Sequence, residues 1–101
     1  MRNVNVETIK LTQEVYGVQH RNNLTQQLYN YADSSRDCGL SEAARNADAE
    51  AVELTRTLYD LHPNQYRNDL AQRLKNYSVS LRCCGLSEAA RDADAEALEL
   101  I

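Results

Sequence analysis

The sequence predicts an all-α protein built from antiparallel helix hairpins stacked as a short solenoid of five helices. Three observations carry this. The octapeptide Cys38-Gly39-Leu40-Ser41-Glu42-Ala43-Ala44-Arg45 returns as Cys84-Gly85-Leu86-Ser87-Glu88-Ala89-Ala90-Arg91, a period of 46 residues. Extended in both directions, the repeat keeps 24 of 35 positions identical between 20–54 and 66–100. A period in this range marks stacked supersecondary units, none of which buries its apolar face alone. Finally, the apolar residues recur at helical spacing on both sides of each glycine.

Taken in order, residues 4–15 read as a lone helix, because Glu7, Lys10 and Glu14 fall opposite Glu53, Arg56 and Asp60 one period later. Gly17 separates it from the next helix. Residues 20–60 form the first full repeat: a helix over 20–37 with Leu24, Leu28, Tyr31 and Ser35 on one face, then a helix over 41–60. In that second helix Ala44, Ala47, Ala51, Leu54 and Leu58 make a stripe of mostly small side chains, so the backbones approach closely. Residues 66–101 repeat the plan, with Leu70, Leu74, Tyr77 and Leu81 in a helix over 66–83 and Ala90, Ala93 and Ala97 in one over 87–101. Gly39 and Gly85 suit the left-handed residue that closes a helix, and Ser41 and Ser87 suit the cap of the next. Pro63, beside His62 and Asn64, punctuates the link between repeats. The whole chain, 1–101, reads as a single domain.

Gly39, Ala44 and Ala51-Val52, with Gly85, Ala90 and Ala97-Leu98, resemble the tetratricopeptide repeat in a long-period form. Tyr66-Arg67-Asn68-Asp69-Leu70-Ala71 followed by Leu74-Lys75-Asn76-Tyr77-Ser78 resembles the long-period variant of fungal and bacterial scaffold proteins. The spacing exceeds the usual 34-residue period of roughly one helix pair, and Arg45 and Arg91 stand where the family carries a large apolar residue. HEAT and armadillo helical pairs, also binding scaffolds, share this range of periods. The resemblance implies a non-catalytic scaffold that holds a peptide or protein partner in a groove lined by the first helix of each pair. Residue by residue it selects Gln26, Tyr29, Asn30, Asp33 and Arg36 from repeat one and Gln72, Lys75, Asn76, Val79 and Arg82 from repeat two. Of the pattern that clamps chaperone carboxyl tails, only the middle asparagine is matched, at Asn76.

Composition narrows the partner. A formal charge of -4 and a pI near 5.1 disfavour nucleic acid and anionic membrane, which need clustered Lys and Arg. Within this acidic chain Arg36, Lys75 and Arg82 make the groove locally basic, which suits an acidic peptide or a carboxylate. The amino terminus lacks a secretory leader, and three cysteines, two of them adjacent, suit a reducing compartment. A soluble cytoplasmic protein is therefore expected. Cys38 and Cys84 occupy equivalent places before the turn glycine and read as packing residues, not zinc ligands, which come in paired clusters. His20 and His62 lack a nucleophile partner at helical spacing, and the acidic run Asp48, Glu50, Glu53, Asp92, Asp94, Glu96 and Glu99 reads as a solvated face. No catalytic residue, metal ligand or cofactor is expected.

The alternative function is self-association. Ala97, Leu98, Leu100 and Ile101 give the last helix an apolar end, and burying such surface between two chains predicts a homodimer at micromolar concentration.

Overall fold

The computed structural model describes residues 6–101, with side chains described from residue 15 onward. Among the described residues it contains four helices: α1 over Val6–Asp37, α2 over Ser41–Leu61, α3 over Pro63–Cys83 and α4 over Ser87–Glu99. No strand forms among the described residues. Each helix packs on the next, α1 on α2, α2 on α3 and α3 on α4.

The count of five helices is corrected to four. The segments expected at 4–15 and 20–37 are one continuous helix, whose part from residue 6 is described and which runs through Gly17 without a break. Glycine lowers helix propensity by about 1 kcal/mol but keeps its N–H, so hydrogen bonding continues across it. At the equivalent position one period later stands Pro63, which has no N–H and forces the preceding residue out of the helical region. His62 takes φ -140°, ψ 72° there, and Pro63 opens α3 at its first turn. One residue thus ends α2 through His62 N donating to Leu58 O at 2.8 Å, and also seeds α3 through Tyr66 N donating to His62 O at 3.1 Å. As a result α3 begins three residues before the expected start at 66.

Both glycine turns close as expected. Gly39 and Gly85 adopt φ 78° and 77°. Leu40 N donates to Ser35 O and Gly39 N to Arg36 O. Leu86 and Gly85 repeat this pattern on Leu81 and Arg82. This double bond pattern satisfies the last carbonyls of the helix and needs the left-handed residue. The expected serine caps are not made: Leu40 and Leu86 occupy the cap positions and Ser41 and Ser87 are already the first helical residues.

The core is thin and alanine-rich. Ala44, Ala47, Ala51 and Leu58 of the expected α2 stripe are buried, and Leu54 is half-buried. Val52 joins Leu70, Ala71, Leu74 and Leu81 of α3 and Ala90, Ala93 and Ala97 of α4 in one cluster, while Ala32, Ala44 and Ala47 form a second with Leu28 against it. Tyr31 is 58% exposed, so the α1 face carries less apolar burial than its α3 counterpart.

Candidate functional site

The site is built by the way α3 lies beside α1. Three side-chain contacts join the two helices. Asn22 Nδ2 donates to Tyr66 Oη at 3.0 Å, the Arg73 guanidinium sits 5.3 Å from the centre of the Tyr29 ring, and Arg36 Nη1 donates to Ser80 Oγ at 2.7 Å. Every pair is separated by 44 residues, and successive pairs by seven, or two helical turns. Two helices carrying the same sequence pattern are therefore set side by side in near-equivalent register.

Arg36 is where this register is fixed. Its Nη1 lies 2.7 Å from Asp48 Oδ2 on α2, and Ser80 Oγ donates to the same oxygen at 2.5 Å, so one carboxylate joins α1, α2 and α3. The Asp48 side chain is 2% exposed and that of Arg36 16%. Burial pushes the Asp48 carboxyl above its ordinary value, against the lowering pull of Ser80 and Arg36. Two expectations are corrected here. Arg36 is held inside the helix layer as a ligand of Asp48 and is not a free groove cation, and Asp48 is not part of a solvated acidic face. Recurrence gave no signal for either, since Arg36, Asp48 and Ser34/Ser80 recur unchanged while the second copy of the pair, Arg82–Asp94, is far more exposed.

The equivalent pair one period on is Arg82 and Asp94, hydrogen bonded to each other but with side chains 53% and 39% exposed. Hydrogen bonds from Ser78 and from Arg82 hold the Asp94 carboxyl below its ordinary value. A further fork–fork pair, Arg56 with Glu96, ties α2 to α4, and the bonds to Glu96 raise the guanidinium pKa.

The remaining expected groove residues form two outer rows. On α1 lie Gln26, Asn30 and Asp33, all exposed; on α3 lie Gln72, Asn76 and Val79, at the same positions of the repeat. Gln26 Nε2 donates to Asn30 Oδ1 at 3.3 Å and Gln72 Nε2 to Asn76 Oδ1 at 3.2 Å. Asn76 Nδ2 is buried and makes no hydrogen bond. Lys75 is exposed beside this row. Tyr29 lies under Arg73, between the helices instead of on the rows, and Arg82 is engaged by Asp94.

The expected self-association residues separate. Ala97 is 1% exposed and belongs to the core, and Leu100 packs half-buried against it, while Leu98 and Ile101 are 71% and 79% exposed. Cys38 and Cys83 are exposed and Cys84 is half-buried, so the packing role expected of Cys38 is corrected: its side chain lies outside the core. Among the described residues no group of three or more His, Cys, Asp or Glu is placed to hold a metal ion, and no helix is long and apolar enough to cross a membrane. No protein-family model, curated protein or solved structure matches the chain.

Proposed function

We propose that the chain is a non-catalytic, tetratricopeptide-like scaffold that holds an extended peptide segment of a protein partner across the outer rows of α1 and α3. The observation that carries this is that Gln26–Asn30 on α1 and Gln72–Asn76 on α3 make the same amide bond one period apart, on two helices that touch through Asn22–Tyr66, Tyr29–Arg73 and Arg36–Ser80. In each pair one amide donor is already used, leaving the exposed Gln26 and Gln72 Oε1 and Asn30 Nδ2 to meet a partner backbone, which offers both donors and acceptors. Since Asp48 and Asp94 engage Arg36 and Arg82, the preference for an acidic residue rests on Lys75. A reducing compartment such as the cytoplasm suits its three free thiols.

Selection of random linear peptides on the folded protein tests this reading. Selected peptides should lose at least tenfold in affinity with Gln72→Ala or Gln26→Ala, and an acidic position in them should lose its effect with Lys75→Ala. Glu50→Ala, away from the rows, should leave affinity unchanged. Failure to select any peptide, or binders indifferent to the three changes on the face, rejects the α1/α3 face.

A further inference from the structure

We infer that a second copy of this chain docks head to tail on the outer side of α3 and α4, reproducing the contact that α3 makes on α1 and α2 within one chain. This goes beyond peptide binding and, Lys75 apart, uses different residues. The internal contact is defined by Asn22, Tyr29 and Arg36 on the receiving helix and Tyr66, Arg73 and Ser80 on the docking helix. Moving each set by the 46-residue period gives Asn68, Lys75 and Arg82 on α3 as a receiving row, and His20, Gln27 and Ser34 on α1 as a docking row. All six are exposed. Receiver and docker are thus both present on the surface of one molecule, on opposite sides of the layer.

The chemistry of the two rows is complementary position by position. Ser34 is identical to Ser80, and the receiving pair Arg82–Asp94 is identical to Arg36–Asp48, so the serine hydroxyl meets the same guanidinium and carboxylate. Gln27 opposite Lys75 offers an amide oxygen to an ammonium in place of the Arg73–Tyr29 stacking. His20 opposite Asn68 offers a ring nitrogen where Tyr66 offers its hydroxyl.

The apolar part of the interface is repeated too. Val52 is 3% exposed and clusters with Leu70, Ala71 and Leu74 of α3. Its counterpart one period on is Leu98, 71% exposed, and the counterparts of Leu70 and Leu74 are Leu24 and Leu28, both half-buried. Docking α1 of a second copy brings Leu24 and Leu28 toward Leu98 as Leu70 and Leu74 lie toward Val52. Because the two surfaces differ, the contact is heterologous and leaves a free docking row and a free receiving row on every pair, so growth continues beyond two chains.

Sedimentation equilibrium on the purified chain tests this. The weight-average mass should rise with concentration through the micromolar range and pass that of a dimer. Ser34→Arg, which sets a cation against Arg82, should block the docking row, and Leu98→Arg should block the receiving row. Both positions are exposed, so far-ultraviolet circular dichroism should match wild type. Each variant alone should stay monomeric, and an equimolar mixture should form a one-to-one heterodimer and stop, since one intact row of each kind remains. A wild-type chain that stays monomeric overturns the inference, as does a dimer that both variants retain or a mixture that stays monomeric. Peptide selection on the monomeric variants addresses the α1/α3 rows separately, so the two readings fail independently.

Discussion

Arg36 with Asp48 and Arg82 with Asp94 are the same two residues at the same spacing of twelve, yet they live in different environments. The first pair is covered by α3, which contributes Ser80 and leaves Asp48 2% exposed; the second is open, with Asp94 39% exposed. Val52 and Leu98 differ in the same direction. What sets the behaviour of a residue in a repeat is therefore the unit that lies over it, as nearest-neighbour stacking requires.

The largest contrast expected from this difference is in stability. Asp48→Ala leaves the largely buried Arg36 guanidinium with Ser80 and the exposed Asp33, 3.6 Å away, as its partners, and breaking a buried pair from one side costs about 3–5 kcal/mol. Asp94→Ala removes a solvent-screened pair and should cost about 0.2–1 kcal/mol. Urea unfolding of both variants checks the ratio; equal losses would mean that Asp48 is as accessible in solution as Asp94. The charge at Arg36 also belongs to this stability experiment and not to a test of partner capture.

Gly17 and Pro63 give the second contrast, at equivalent positions that do opposite things. Gly17→Pro should cost about 3 kcal/mol and lower the helical circular dichroism signal by breaking α1. Pro63→Ala should cost about 0.4–1 kcal/mol, mostly through a more flexible unfolded chain. The cluster of Val52, Leu70 and Leu74 keeps α2 folded back on α3 without the proline. A Gly17→Pro protein with unchanged stability would show that the first turns of α1 contribute little packing.

These positions also mark what the sequence could disclose. The glycine turns, the Ala stripe and the period of 46 translate directly into α2, α3 and α4, because helical spacing and a left-handed turn residue are local properties. The continuity of α1 through Gly17 was not legible, since glycine weakens a helix without removing a donor. Among the site residues, Gln26, Asn30 and Gln72 were readable as exposed from their period, and Asn76 is half-buried. Arg36 was not, because its burial depends on Ser80, 44 residues away. Asp48 looked like one more acidic residue on an alternating face, and only the three-helix contact separates it from Glu50.

The two aspartates should also respond to pH with opposite sign. Asp94 has a lowered folded pKa, so its contribution to stability is present above the ordinary carboxylate range and is lost as pH falls through the folded value. Asp48 has a raised one: its contribution is full below the ordinary value and declines as pH rises through the raised value. Unfolding free energies measured against pH for Asp48→Asn and Asp94→Asn, each subtracted from wild type, should therefore slope in opposite directions. Parallel slopes would place Arg36 in control of Asp48, with its attraction exceeding the cost of burial.

The smallest effects are expected at the thiols, and here the order of the two repeats is reversed. Cys38 is exposed although it belongs to the repeat that α3 covers, whereas its counterpart Cys84 is half-buried. The reason is direction: Cys84 borders the first turn, sharing a hollow with Gly39, Leu40 and Arg45, so the first turn shelters the cysteine of the second repeat. Cys38 has no such turn beside it among the described residues. Cys38→Ser should change stability by no more than about 0.5 kcal/mol, as exposed substitutions do. In the native protein at low concentration Cys38 and Cys83 should alkylate faster than Cys84, and all three should react alike in denaturant. Head-to-tail stacking would bring the second turn, Gly85 to Arg91, against Cys38 of the next copy, so Cys38 should slow as concentration rises while Cys83 does not. Equal rates for Cys38 and Cys84 at low concentration would remove the shelter attributed to the first turn.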